Sequence, residues 1–225
     1  MVSMLSGMSG LPTAIPAGKP KLRGVLHQWA FFVSLLTGTV LVLVAPAGRA
    51  TLAVAIYALT VAGLFGVSAI YHRVNWASAA TRRWMRRLDH SMIFLLIAGT
   101  YTPFALLVLD GALATAILVA VWGGALAGIV LNLVWIDAPK WLTAVVYVAL
   151  GWVAVIAFPG LFDNLGVTAT MLIALGGVLY TIGAVVYAVG KPDPAPAVFG
   201  YHEVFHALVI AAAAVQYGVV AFYVL

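Results

Sequence analysis

Of the 225 residues, 65% are hydrophobic and only 8% are charged, against about 25% in ordinary soluble domains, so the composition indicates an integral membrane protein. The absence of cysteine excludes disulfides and thiolate metal sites, so any bound transition metal must use His and Asp ligands. The formal net charge of +5 does not predict nucleic-acid binding, because the basic residues lie in short segments between apolar runs.

The chain divides into a short leader and one apolar domain. Residues 1–20 contain Gly, Ser and Pro and no charge before Lys19, which predicts a disordered leader. Residues 21–225 are predicted to form a single transmembrane domain, because they divide into apolar runs of roughly 20 residues, the length of a membrane-crossing helix. The predicted spans are 25–46, 50–72, 88–109, 112–134, 141–159, 165–189 and 200–225. The expected fold is therefore an all-α integral membrane protein with seven transmembrane helices.

The distribution of Lys and Arg predicts the orientation of these helices. Most basic residues precede the first span or lie between the second and third spans, whereas the turn after the first span has only Arg49. These residues are Lys19, Lys21, Arg23, Arg73, Arg82, Arg83, Arg86 and Arg87. Because cytoplasmic loops carry the excess of Lys and Arg, the N-terminus is predicted to be cytoplasmic and the C-terminus outside. We interpret residues 82–87 as an orientation signal that contacts lipid phosphates, with substrate headgroup binding as the less favoured interpretation.

Five polar side chains are predicted to lie at one level of this bundle. Ser68 and His72 end the second span, Asp89 begins the third, and His202 and His206 begin the seventh. Residues four apart share one helix face, and a His-x-x-x-His pair can hold one metal ion in adjacent coordination positions. Because such groups are costly in hydrocarbon, their cluster predicts a functional site.

Each of these residues also has a structural interpretation. Asp89 fits an N-cap of the third span, and capping does not exclude catalysis. The two histidines of the seventh span fit simple contacts with water or a neighbouring helix, and Ser68 fits an interhelical hydrogen-bond donor. His27, in the first turn of the first span, is predicted to lie beside the site. His90 points about 100° away from Asp89, which predicts packing or a supporting position rather than direct binding.

Short motifs along the chain carry a family resemblance. They are Pro20-Lys21-Leu22-Arg23-Gly24 followed by His27, Ser68-Ala69-Ile70-Tyr71-His72, Asp89-His90-Ser91, Ile97-Ala98-Gly99-Thr100-Tyr101-Thr102-Pro103, and His202-Glu203-Val204-Phe205-His206. Together they resemble the hemolysin III family over nearly the whole chain after the leader. That family looks like the bacterial branch of the progestin and adipoQ receptors, and both are grouped with alkaline ceramidases among seven-span proteins described as metal-dependent hydrolases.

The resemblance implies a zinc ion bound by His72, His202 and His206, with Asp89 beside a metal-bound water and Ser68 next to it. It also implies a multi-pass protein of the bacterial cytoplasmic membrane. Three neutral imidazoles leave zinc one open position, which is typical of catalytic sites, and a neighbouring carboxylate can act as the general base. We therefore expect hydrolysis of a lipid amide or ester, in membrane lipid homeostasis, with membrane lipids as the partners.

The sequence is also compatible with two functions other than lipid hydrolysis. In the first, the protein is a sensor or regulator of membrane state, and zinc only joins the second and seventh helices. In the second, the protein is a pore-forming cytolysin, as the family name suggests. We rank the pore last, because no span shows a repeated polar stripe along its length. The substrate, the metal and the oligomeric state are not determined by the sequence.

Overall fold

The computed structural model of the chain describes residues 19–225, and within this range it contains helices and no β-strand. The helices are α1 (Val25–Val44), α2 (Arg49–Arg73), α3 (Ala79–Leu107), α4 (Gly111–Val134), α5 (Lys140–Gly151), α6 (Ala154–Val189) and α7 (Tyr201–Val219), and α7 continues into a π-helical turn (Val220–Val224). The predicted all-α class is confirmed. The predicted leader lies almost entirely outside the described residues.

Six helical stretches in residues 19–225 are long and apolar enough to cross a membrane. They are α1, α2, α3, α4, the stretch Lys140–Val189 that holds α5 and α6, and Tyr201–Val224. Each contains an apolar run of the length that a hydrocarbon core requires. The chain is therefore a multi-pass membrane protein.

The stretch from Lys140 to Val189 corresponds to the predicted fifth and sixth spans. Its backbone leaves the helical conformation at Gly166, where φ is 78° and ψ is 177°. Trp152 Nε1 donates a hydrogen bond to Thr181 Oγ1 over 2.9 Å. Because a straight helix would separate these residues by about 40 Å, the chain reverses direction between them. The total of seven spans stays a prediction.

Helix α3 begins earlier than the sequence predicted, at Ala79 rather than near residue 88. Its N-cap is Ser78, whose side chain accepts a hydrogen bond from the Thr81 amide. Asp89 is therefore inside the helix, and the interpretation of Asp89 as an N-cap is wrong. The hydropathy boundary misplaced the helix start, because charged residues with good helix propensity extend the helix beyond its apolar part.

The arginine run at the start of α3 contacts the connection between α4 and α5. Arg83 and Arg86 each donate to the Asp137 carboxylate over 3.0 Å, and Arg86 also donates to the Ile136 carbonyl over 2.8 Å. Arg87 donates to the Leu133 carbonyl. These arginines thus hold the first turns of α3 against the end of α4 and the connection that follows it, at one end of the bundle. Contact with lipid phosphates stays a prediction.

The N-terminal segment, residues 19–24, lies against the connection between α6 and α7. The amides of Lys21 and Leu22 each donate over 3.1 Å, to the carbonyls of Ala197 and Val198 respectively. Burial, together with the charges of Arg73, Arg23 and Arg82, lowers the pKa of Lys19. The N-terminal segment and the connections that follow α2, α4 and α6 therefore share one end of the bundle, which we call the basic end. Arg49 is at the other end.

Close packing fixes α2 against α3. A Cβ atom added to Gly99 of α3 would collide with Thr60 of α2, so the two helices approach as closely as a glycine allows. The buried side chains of Leu64 and Phe65 on α2 and Leu96 on α3 belong to the hydrophobic core beside this crossing. This packing sets the position of His72 relative to Asp89.

Candidate metal centre

Three histidines from two helices meet at the basic end. His72 lies in the last turn of α2, and His202 and His206 lie in the first two turns of α7. One ring nitrogen from each lies within 4.8 Å of the other two, and the Nε2 atoms of His72 and His202 are 3.1 Å apart. His72 is 7% exposed and His206 is 2% exposed. The three predicted ligands are thus brought together, which is the arrangement that a shared metal ion requires.

An unpartnered ring nitrogen in this cluster fits a metal ion. His206 Nδ1 is buried and has no hydrogen-bond partner among the described residues. An unpaired polar atom is costly in an apolar setting, whereas a neutral imidazole nitrogen is a common ligand of divalent transition metals. The donor set therefore suits zinc or a similar ion.

The predicted residues around the trio occupy different positions. The His27 ring stacks on the His206 ring, with centroids 3.7 Å apart and an interplanar angle of 11°. His27 therefore supports a member of the trio from α1. The His90 ring is not one of the three converging rings; it packs edge-on against Tyr187, with centroids 6.3 Å apart, and the His90 backbone carbonyl accepts a hydrogen bond from Tyr147.

Asp89 is the carboxylate nearest to the histidines. Its Oδ2 lies 3.8 Å from His72 Nε2, and the residue is 9% exposed. Ser68, one helical turn before His72, is 3% exposed and lines the same cavity as Asp89. A buried carboxylate at this distance can accept a proton from a molecule held between it and the trio.

Sequence reasoning missed the role of Glu203, which is fully buried between the two histidines of α7. Its Oε2 accepts a hydrogen bond from the Gly200 amide over 2.8 Å, and its Oε1 accepts one from Arg23. The spacing matches the H-E-x-x-H pattern, in which the glutamate serves as a general base, but here the carboxylate is engaged in capping and in an ion pair. One feature of the sequence could have indicated this role: Glu203 is a charged residue within an apolar run, and a buried charge there needs a partner.

Gly24 brings the N-terminal segment into direct contact with the site. Its φ is +77°, a conformation that suits glycine, and an added Cβ would lie 2.7 Å from the Cβ of His72. The main chain at Gly24 therefore packs against the base of a candidate ligand. Any larger residue must move either the segment or His72.

Replacing Gly24 with Ala is expected to lower both thermal stability and zinc affinity. The positive φ and the contact with His72 each add a cost of about 1–3 kcal/mol. The matched control is Gly48→Ala, because Gly48 has φ +97° but no atom within 4 Å of an added Cβ. Thermal unfolding in detergent and equilibrium dialysis against zinc measure the two effects. Equal zinc affinity in the two variants would contradict the proposed contact.

A long cavity of about 160 Å³ leads away from the histidines. His27, Ser68, Asp89 and His206 line one end of it. Along α3 the lining continues at intervals of three or four residues from Asp89 to Ala105, so one face of this helix borders the cavity for about 24 Å, and Leu109 extends the lining beyond the helix. Between its ends the lining is mostly aliphatic and aromatic. The cavity is thus comparable in length to the hydrocarbon core of a bilayer.

The fold and the site define the class of this protein: a multi-pass helical membrane protein with three convergent histidines that can hold a metal ion. Residues 17–217 match the family described as "Haemolysin-III related". The chain belongs to the hemolysin III family, and this confirms the resemblance inferred from its motifs. Membership is consistent with a location in a bacterial inner membrane.

Individual relatives match most of the chain. The protein named Hemolysin-3 homolog from Bacillus subtilis (strain 168) is 32% identical over 168 residues, which are 75% of this chain and 75% of that protein. Hemolysin-3 from Bacillus cereus is 31% identical over 176 residues, 78% of this chain and 77% of that protein. The Monocyte to macrophage differentiation factor of Homo sapiens is 25% identical over 165 residues, 72% of this chain and 66% of that protein. Similarity therefore extends to mammalian proteins.

Proposed function

We propose that the protein is a zinc-dependent membrane hydrolase that cleaves lipid amide or ester bonds and so acts in membrane lipid homeostasis. The observation that carries this proposal is the convergence of three imidazoles and one buried carboxylate at the end of a long apolar cavity. A metal site that only stabilises a fold needs neither a free carboxylate beside it nor a cavity leading to it. Both features suit a reaction on an apolar substrate.

In this proposal His72, His202 and His206 hold the zinc ion. Bound there, zinc supplies Lewis acidity for a carbonyl and for a water molecule. Three protein ligands leave one coordination position open, as in catalytic sites. Asp89 would orient the water, accept its proton and return that proton to the leaving amine or alcohol as the acyl bond breaks, and Ser68 lines the same cavity.

The substrate class follows from the cavity. An apolar chain placed between α3 and α6 would bury its surface against residues such as Leu96, Phe104 and Ile173. The carbonyl at its head would then lie between the trio and Asp89. Membrane lipids combine such a chain with an amide or ester carbonyl. The apolar walls also keep bulk water away from the reacting group.

We also propose seven crossings with the basic end in the cytoplasm. At 1.5 Å per residue the stretch Lys140–Val189 would measure about 75 Å as one helix, far more than a hydrocarbon core of about 30 Å. The bond between Trp152 and Thr181 supports two crossings within that stretch. The Lys and Arg residues at the basic end support a cytoplasmic site through the positive-inside rule.

A sensor with a structural zinc is the second candidate, and a specific observation favours it. The trio joins the end of α2 to the start of α7, and Arg23 ties the N-terminal segment to α7 through Glu203. A metal ion there would couple three parts of the bundle, so that its binding would favour one arrangement of helices over another. A cytolytic pore is less favoured, because the cavity lining beyond the histidines is mostly aliphatic and aromatic.

Purified protein in vesicles that contain lipid amides and lipid esters tests the hydrolase proposal. The zinc-loaded protein is expected to release free fatty acids, detected by mass spectrometry, and chelation is expected to stop the release. Zinc binding without release from any lipid of the panel would contradict the hydrolase and favour the sensor. Leakage of a trapped dye from the same vesicles would instead favour the pore.

A further inference from the structure

Partway along the cavity lies a second set of unpartnered polar atoms. The Tyr180 hydroxyl and the Gln216 Oε1 atom are buried and have no hydrogen-bond partner among the described residues, and both side chains line the cavity. Gln216 is 5% exposed. Nearby polar groups such as Thr181 are satisfied, since its hydroxyl accepts from Trp152 and donates to Gly177. Unpaired polar atoms are costly within a membrane, so this pair needs a partner.

These two atoms lie on the same part of the cavity wall. Gln216 of α7 packs over Gly176 of α6, where an added Cβ would lie 2.5 Å from Gln216 Nε2. That nitrogen donates to the Ile173 carbonyl over 3.2 Å, which holds the amide against α6. Tyr180 is one turn beyond Gly176 on the same helix face, and helical side chains lean toward the preceding turn. Both side chains therefore reach the cavity within about one turn of α6 around Gly176.

The chemistry of the pair selects a hydroxyl group as its partner. Gln216 Oε1 only accepts hydrogen bonds, whereas the Tyr180 hydroxyl can donate one. A ligand hydroxyl can satisfy both atoms, because it donates to the amide oxygen and accepts from the phenol. A ligand carbonyl or ether can only accept, so Oε1 would stay unpaired.

The distance between this pair and the histidines fixes where this hydroxyl would lie. His206 and Gln216 are ten residues apart on α7, about 15 Å along the helix axis. Between them, Val209 is the one α7 residue in the cavity lining, and it is apolar. An extended chain advances about 1.2 Å per bond, so 15 Å corresponds to about twelve bonds.

We propose that the cavity binds acyl chains that carry a hydroxyl group near the twelfth carbon, with Tyr180 and Gln216 as the residues that recognise it. The proposal rests on the proposed function, since it places the lipid carbonyl at the histidines. It adds a specificity site that lies apart from the metal centre. Chains without the hydroxyl fit the same cavity but leave both atoms unpaired.

Equilibrium binding of radiolabelled fatty acids to the full-length protein in lipid nanodiscs tests this site. The probes are octadecanoic acid, 12-hydroxyoctadecanoic acid and 2-hydroxyoctadecanoic acid, whose hydroxyl is at the wrong end. The 12-hydroxy acid is expected to bind about tenfold more tightly than octadecanoic acid, as expected for one buried polar pairing. The 2-hydroxy acid is expected to show no such gain.

Gln216→Leu and Tyr180→Phe should each abolish the preference while octadecanoic acid still binds. Tyr223→Phe, a change at an exposed tyrosine outside the cavity lining, should keep it. Equal binding of the three acids to the unaltered protein would overturn the hydroxyl site and leave the proposed hydrolase standing. Failure of all three to bind would overturn both, and a preference that persists in both cavity variants would overturn the assignment to these residues.

Discussion

Replacing Asp89 with Asn is expected to abolish lipid hydrolysis while zinc stays bound. The amide has nearly the same shape as the carboxylate but cannot accept a proton as a general base, a role that contributes about 10²- to 10⁴-fold in rate. Asp89 lies 3.8 Å from His72 Nε2 and is not one of the three converging nitrogen ligands. Fatty acid release from vesicles gives the rate, and elemental analysis of the same sample gives the zinc content.

Two comparisons make this result specific. Asp137→Asn changes a carboxylate at the basic end that is half exposed and pairs with Arg83 and Arg86, and exposed ion pairs contribute at most about 1 kcal/mol. This variant is expected to keep both activity and zinc. Full activity of Asp89→Asn would reject Asp89 as the base. Loss of zinc together with activity would show that Asp89 is a ligand.

Replacing His206 with Ala is expected to lower zinc affinity by at least about 100-fold. Residues that only support a metal ligand already change affinity by about 10- to 100-fold, so loss of a ligand should cost more. His206 is a suitable target because its ring is buried and stacks on His27. Competition dialysis against a chelator of known affinity measures the change.

His90→Ala is the matched control for this measurement. His90 lines the cavity but packs against Tyr187 and is not one of the converging histidines. It is expected to change zinc affinity little. If His206→Ala bound zinc as tightly as the unaltered protein, the three-histidine assignment would be wrong.

The sequence predicted the helices well where hydrophobicity governs them. Apolar runs of membrane length must form helices, because backbone polar groups have no water to bond within the bilayer. The start of α3 was misplaced because its first turns are polar and are stabilised by contacts of Arg83 and Arg86 with Asp137. Such contacts join residues distant in sequence, so a local pattern cannot reveal them.

Residue spacing and topology also predicted part of the site. Four-residue spacing placed His202 and His206 on one helix face, and topology placed His72 at the same end, as the structure has them. The structure added Arg23 and Glu203, whose partnership spans most of the chain. The cavity also depends on how helices pack, which periodicity within one helix does not determine.

Zinc K-edge X-ray absorption of the purified, unaltered protein tests the central claim most directly. We expect one zinc ion with three histidine nitrogen ligands at about 2.0–2.1 Å and one oxygen ligand, the pattern of an open three-histidine site. A spectrum without histidine scattering, or a protein that holds no zinc after equilibration with the metal, would contradict it.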